Sequence, residues 1–296
     1  MTGESLGRPI EGIDPGPLRH RYPNESAFLD LAAGPRGPAS DMVAAVAISL
    51  TRFPDFNGAD LAVEMVRLAT SDRGYGQATD AALDRLREGS DWREAAIGEP
   101  GRSSFGSGAA VRMAAVGLLY ADDAEGLRWV AEEAASITHR HALGCEGAAL
   151  HATAVACAFN ARDKPIDPAG FLLMVGKEAG MREFRERYES AARAVERELD
   201  AQRVIDILGN GKSALGSVAT AAYCFARHRE SFEHAVAGAL ALGGAASRIA
   251  AMTGAIAGAY LGLEAIPKRW REGLEGERIG GHTMGEIAAQ LAAVHR

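Results

Sequence analysis

From residue 41 to the end of the chain, apolar positions recur every three or four residues, the period of a helix with one buried face. Asp41 stands where a side chain can cap a helix over 42–51. Residues 54–58 read as a turn, and 60–71 follows with Leu61, Val63, Met65, Val66 and Leu68 at helical spacing. After a Gly74-Tyr75-Gly76 loop, 79–88 is amphipathic, and 99–108 is a Gly/Ser loop. Helices are expected next at 109–120, 124–137, 143–160 and 168–175. The 181–199 stretch is strongly charged, so one of its faces is solvated. Further helices are expected at 213–227, 231–242 and 246–263, then a short one started by Pro267 and a last one over 283–294. No segment sustains a period of two with β-branched residues, so no strands are expected.

The first 40 residues break this pattern. Pro9, Pro15, Pro17, Pro23, Pro35 and Pro38 interrupt any long helix, and the segment is expected as an irregular loop lying over the body. No repeat and no linker divides the rest. The expectation is one all-α domain spanning 1–296, irregular over 1–40 and helical over 41–296.

Composition narrows the function classes. The chain has 296 residues, 47% apolar and only 6% aromatic, enough for a large core built from small side chains. Its formal net charge is −7, and no basic run lies beside aromatics, so no nucleic-acid partner is expected. Cys145, Cys157 and Cys224 are too few and too widely spaced for a disulfide framework or a zinc site; as small buried hydrophobes they fit a reducing cytoplasm. Residues 1–12 are polar rather than basic then apolar, and no apolar stretch of about 18 residues is free of charge. Neither a leader nor a membrane partner is expected. Nothing in the sequence fixes an oligomeric state.

Gly209-Asn210-Gly211-Lys212-Ser213 ends like a phosphate-binding loop, but Asp206 stands where that loop needs its first glycine, so a turn and helix cap are expected. Gly74-Tyr75-Gly76 lacks the third glycine of a dinucleotide fingerprint, yet still fits a loop approaching a ligand. In Thr138-His139-Arg140-His141 the histidines are two apart and cannot share a helix face, which argues against a helical metal pair and for a helix-end histidine near backbone carbonyls. Gly106-Ser107-Gly108 is not a nucleophile elbow.

Taken together and in order, the loops resemble those of the ADP-ribosylglycohydrolase family. Gly3-Glu4-Ser5-Leu6-Gly7-Arg8-Pro9-Ile10-Glu11-Gly12 resembles the family's opening G-D-A-L-G-x-P-x-E-G, and Arg73-Gly74-Tyr75-Gly76 its R-G-Y-G. Ser107-Gly108-Ala109-Ala110-Val111-Arg112 resembles N-G-A-A-M-R, Thr138 to His141 resembles T-H-x-H, and 242–262 resembles the end of the domain. The resemblance implies an all-α fold with a cleft between helices, and hydrolysis of a glycosidic bond to ADP-ribose with two Mg²⁺ or Mn²⁺ ions. Such ions act as Lewis acids and need oxygen ligands.

The ligand positions depart from the family. Its T-D-D-T is Ala39-Ser40-Asp41-Met42 here, and its G-G-D-T-D-T is Gly243-Gly244-Ala245-Ala246-Ser247-Arg248. One carboxylate of four remains, so no metal cofactor is expected. Arg248 is expected to occupy the metal position and pair with Asp41. Glu11 and Asp41 are the candidate catalytic acids. Glu4, Gly74, Tyr75, Gly76, Ser107, Gly108, His139, Gly244, Ser247 and Arg248 are the candidate ligand contacts, with Arg248 reaching a phosphate or carboxylate. Two readings follow. One is a hydrolase of a ribosyl, nucleoside-like or ADP-ribosyl substrate without the two-metal centre. The other is an inactive relative that binds a nucleotide or serves a structural role.

Overall fold

The computed structural model describes residues 1–70, 73–97, 103–275 and 277–294. Among the described residues there is no strand ladder; Gly106 with Ser213 and Ile279 with His282 form isolated bridges.

The helix Ala142–Asn160 runs through the centre. It is rich in alanine and apolar nearly all round, so both of its sides are buried. Leu150, Ala154, Val155 and Ala158 join an apolar cluster with the helices Val218–Arg227, Phe232–Ala241 and Ala246–Leu261. Ala148, Ala149, Ala152 and Ala156 join a second cluster with the helices Pro38–Arg52, Gly58–Leu68 and Ala124–Ser136. Among the described residues, this helix alone is long and apolar enough to cross a bilayer, but two thirds of its most apolar window (67%) is buried against neighbouring helices. It serves as a core helix here.

Small residues set how closely the helices approach. A Cβ on Gly3 would lie 2.1 Å from the Ala250 carbonyl oxygen, and one on Gly7 would lie 2.4 Å from the Ser247 Cα. The short helix Thr2–Gly7 therefore packs backbone to backbone on Ala246–Leu261. This corrects the expectation of an irregular start: the segment before residue 38 holds the helices Thr2–Gly7 and Pro15–Arg21 and two 3₁₀ turns. Pro9, Pro15 and Pro17 sit in first turns, where no donor is lost, and Pro23 and Pro35 lie between the helical pieces.

Other boundaries moved for local reasons. Pro38–Arg52 begins three residues before Asp41, with Gly37 as its cap, so Asp41 lies in the first turn rather than capping it. The expected 109–120 helix is two, Gly108–Val111 and Ala114–Leu119, separated where Arg112 and Met113 take ψ near zero. The charged helix ends at Glu196, and Asp200 caps a separate helix, Ala201–Leu208, that the periodicity did not reveal. The expected 99–108 loop falls partly outside the described residues.

Candidate functional site

The helices Pro38–Arg52 and Ala246–Leu261 both start at one cleft of about 310 Å³. Each N-terminus is capped from another part of the chain. Glu4 accepts hydrogen bonds from the backbone N–H of Gly37 (3.2 Å), Ala39 (2.7 Å) and Ser40 (2.9 Å), and from the Ser40 hydroxyl. Oε2 of Glu11 accepts from the Ser247 backbone N–H (2.9 Å) and its hydroxyl (2.7 Å). The first N–H groups of a helix lack intrahelical partners and carry partial positive charge, so a carboxylate is the natural partner at both ends. Glu4, Glu11 and Ser247 all line the cleft.

Asp41 is buried, 1% exposed, and its carboxylate faces neighbouring loops. Arg36 Nε lies 3.0 Å from Oδ1, Arg73 Nε lies 3.3 Å from Oδ2, and the Tyr75 hydroxyl donates to Oδ2 at 3.0 Å. The expected Asp41–Arg248 pair is therefore corrected: Asp41 already has two arginines closer in sequence. Tyr75 also accepts from the Thr70 N–H at 2.9 Å, and burial followed by the Asp41 charge pushes its phenol up to about 12. Gly74 and Gly76, both at positive φ, let the loop turn tightly around this tyrosine.

Arg248 extends to the Gly76 loop. A Cβ on Gly76 would lie 3.7 Å from its Nη2, so a larger residue there would meet the guanidinium. Among the described residues, Arg248 and Lys212 make no ion pair. Both line the cleft together with Arg8 and Arg73. Four cations thus face two carboxylates, a lining balance of about +2 in a chain whose net charge is −7.

The remaining candidates support this lining. Ser107 is fully buried and donates its N–H to the Lys212 carbonyl at 2.9 Å, while Gly108 forms part of the wall. Gly244, at φ +61°, sits where a Cβ would lie 2.4 Å from the Asn210 carbonyl oxygen; it packs the 209–213 turn onto the helix start without lining the cleft. The chain turns there as expected, but the helix expected from Ser213 starts at Val218 with Ser217 at its N-cap, and Lys212 lines the cleft. His139 is 3% exposed, behind Gly108. The other histidine of this motif, His141, is a helix N-cap accepting from the Leu143 N–H, rather than a partner of carbonyls. Sequence reading missed Lys212, Arg8 and Arg73 as lining cations. Their signal was present, since each lies inside a glycine-rich motif at a helix edge.

The residues do not fit two hard divalent ions. Glu4, Asp41 and one oxygen of Glu11 are already taken up by N–H and O–H donors, and Arg248 and Lys212, without an ion pair among the described residues, line the same cleft. Among the described residues, no three His, Cys, Asp or Glu side chains group as a metal site.

A multi-helix domain with a cleft between two capped helix starts is the architecture defined here. The chain matches the ADP-ribosylglycohydrolase family over residues 1–296 and belongs to that family. It is 30% identical over 237 residues to the ADP-ribosylhydrolase ARH3 of Bos taurus, covering 69% of this chain and 64% of that protein. To an uncharacterized protein of Archaeoglobus fulgidus it is 30% identical over 301 residues, covering 99% and 93%. A solved structure described as an ADP-ribosylglycohydrolase-related protein complex superposes with a TM-score of 0.67 at 25% identity, covering all of this chain and 93% of that one. The chain spans just under two thirds of the length of the bovine and mouse relatives, 64% and 63%.

Proposed function

We propose that the cleft binds an ADP-ribosyl or related phosphorylated ribosyl group and hydrolyses its glycosidic bond without a two-metal centre. The observation that carries this is the exchange of charge: where the family's resemblance places metal ligands, this chain sets Arg248, with Arg8, Arg73 and Lys212 around the same space. Guanidinium groups hold phosphate oxygens through paired hydrogen bonds, and an ammonium adds a point charge. Glu11 is the general acid or base. Its Oε2 is fixed by Ser247, while Oε1 has no hydrogen bond among the described residues and is free to take a proton from water. Asp41 acts indirectly, by orienting Arg73 and Tyr75 at the mouth. Phe105, 53% exposed beside the Gly106–Ser213 bridge, offers a flat apolar face for a base.

A second reading, binding without turnover, is favoured by one observation: every acid near the cleft already holds a structural hydrogen bond. Calorimetric titration of ADP-ribose with Mg²⁺, and again with a chelator, tests the site. Equal affinity in both supports the metal-free cleft, and binding only with Mg²⁺ refutes it. Release of ribose products from an ADP-ribosylated substrate then separates the hydrolase from the binder.

A further inference from the structure

Arg112 is wholly buried and has no carboxylate partner among the described residues. Its Nη2 donates to the Ala134 carbonyl at 2.7 Å and to the Thr138 hydroxyl at 2.9 Å. The same hydroxyl lies 2.7 Å from Nδ1 of His139. A guanidinium only donates, so the Thr138 oxygen accepts from Arg112. Thr138 is 2% exposed, and His139 Nδ1 is the one remaining partner of its hydroxyl among the described residues. If Nδ1 carried a proton, the threonine hydrogen would be buried with no acceptor. With Nδ1 bare, the Thr138 hydroxyl has an acceptor and Nδ1 has a donor, while Arg112 Nε and Nη1 stay buried without a partner among the described residues.

The imidazole proton must then sit on Nε2. That atom points at the glycine loop: a Cβ on Gly108 would lie 3.2 Å from it, and one on Gly106 would lie 3.6 Å away. Gly108 is cleft wall. The charges around the ring are Arg112 and Arg248, both positive, and the Cys145 thiol donates to the His139 carbonyl at 3.0 Å. Among the described residues no acid faces it, and burial reinforced by the two arginines pulls the ring down to about 3.

We propose that Arg112, acting through the Thr138 hydroxyl, locks His139 as its Nε2–H tautomer, so that the cleft wall beside Gly108 presents a neutral, permanent donor to an oxygen of the ligand. His139 therefore selects an acceptor atom and takes no part in proton transfer. Arg112 and Thr138 are positioning residues. The ligand half of this inference rests on the cleft being the binding site; the tautomer half does not.

Long-range ¹H–¹⁵N spectra of the ¹⁵N-histidine-labelled full chain, without ligand, test the lock. The expected result is a pyrrole-type shift at His139 Nε2 and a pyridine-type shift at Nδ1, unchanged from about pH 5 to about pH 8. A protonated Nδ1, or a titration in that window, overturns it. Thr138→Ser should keep the pattern, and Thr138→Val should give mixed tautomers; an unmixed Nε2–H signal in the valine variant removes Thr138 from the relay. His139→Leu should weaken ADP-ribose binding by about tenfold. Unchanged binding there, with the wild-type tautomer intact, overturns the donor role. No ADP-ribose binding by the wild type would instead refute the reading of the cleft.

Discussion

Arg36 holds the buried Asp41 carboxylate with one edge of its guanidinium, at 3.0 Å, and Glu277 with the other, at 2.7 Å. Its carbonyl oxygen accepts from Arg8 at 3.0 Å and from Arg73 at 2.7 Å. One residue thus ties the Pro-rich segment, the Arg73 loop and the C-terminal segment to the acid that the family resemblance marks as a metal ligand. Removing one partner of a buried pair leaves the other charge uncompensated. Asp41→Asn is expected to cost about 3 kcal/mol in denaturant unfolding, reduced only slightly by the partial exposure of Arg36. A loss below about 0.5 kcal/mol, the scale of a surface pair, would show that Asp41 is not held as described.

The two glutamates of the opening motif have distinct duties, and conservative variants separate them. Glu4 is closed on all sides by three N–H groups and a hydroxyl. Glu4→Gln turns one acceptor into a donor facing donors, and should destabilise by about 2–3 kcal/mol. Glu11 spends one oxygen on Ser247 and keeps the other free. Glu11→Gln should leave ADP-ribose affinity within about threefold while lowering turnover by about a hundredfold or more. Equal losses in affinity and turnover would place Glu11 in binding alone.

Gly7 makes a sharper test of packing. Its missing Cβ leaves room for the Ser247 Cα, at a point where neither backbone can yield without moving a helix. Gly7→Ala should cost about 2–3 kcal/mol. It should also displace Ser247 and so weaken the hold on Glu11, which circular dichroism melts and turnover would read separately. Gly16→Ala, where a Cβ meets nothing within 4 Å, is the matching control and should be close to neutral.

Much of the fold is legible because helix period and capping are local. The stretches that became Gly58–Leu68, Ala124–Ser136 and Phe232–Ala241 carry their caps in sequence as Asn57, Asp123 and Ser231. The start was misread because Thr2–Gly7 is too short to show a period, and is held by close packing through Gly3 and Gly7. The site was legible as a set of loops and not as a set of pairs. Nothing local says that Asp41 meets Arg36 and Arg73 rather than Arg248, because the approach of the two loops and of the first turn of Ala246–Leu261 is set by the fold. Lys212 was discounted for the same reason: its motif fails as a phosphate loop, yet the turn carries it to the cleft.

Two buried histidines oppose acid. His151 is wholly buried with no partner for either ring nitrogen among the described residues, and burial pulls it down to about 3; His139 is pulled equally low by burial and then by Arg112 and Arg248. Unfolded, each titrates near its ordinary value of about 6.5. Between those limits the unfolded chain binds more protons, so stability falls as pH drops from about 6.5 towards about 3, and is flat above that range as far as these two groups act. Each contributes a slope of about 1.4 kcal/mol per pH unit well below its unfolded pKa. His151→Met keeps an apolar side chain in the core and removes two unsatisfied nitrogens. It should raise stability at neutral pH by about 1–2 kcal/mol and remove one of the two slopes. Urea unfolding at about pH 7 and about pH 5 measures both effects. An unchanged slope in this variant would mean that His151 is protonated or partnered in the folded protein.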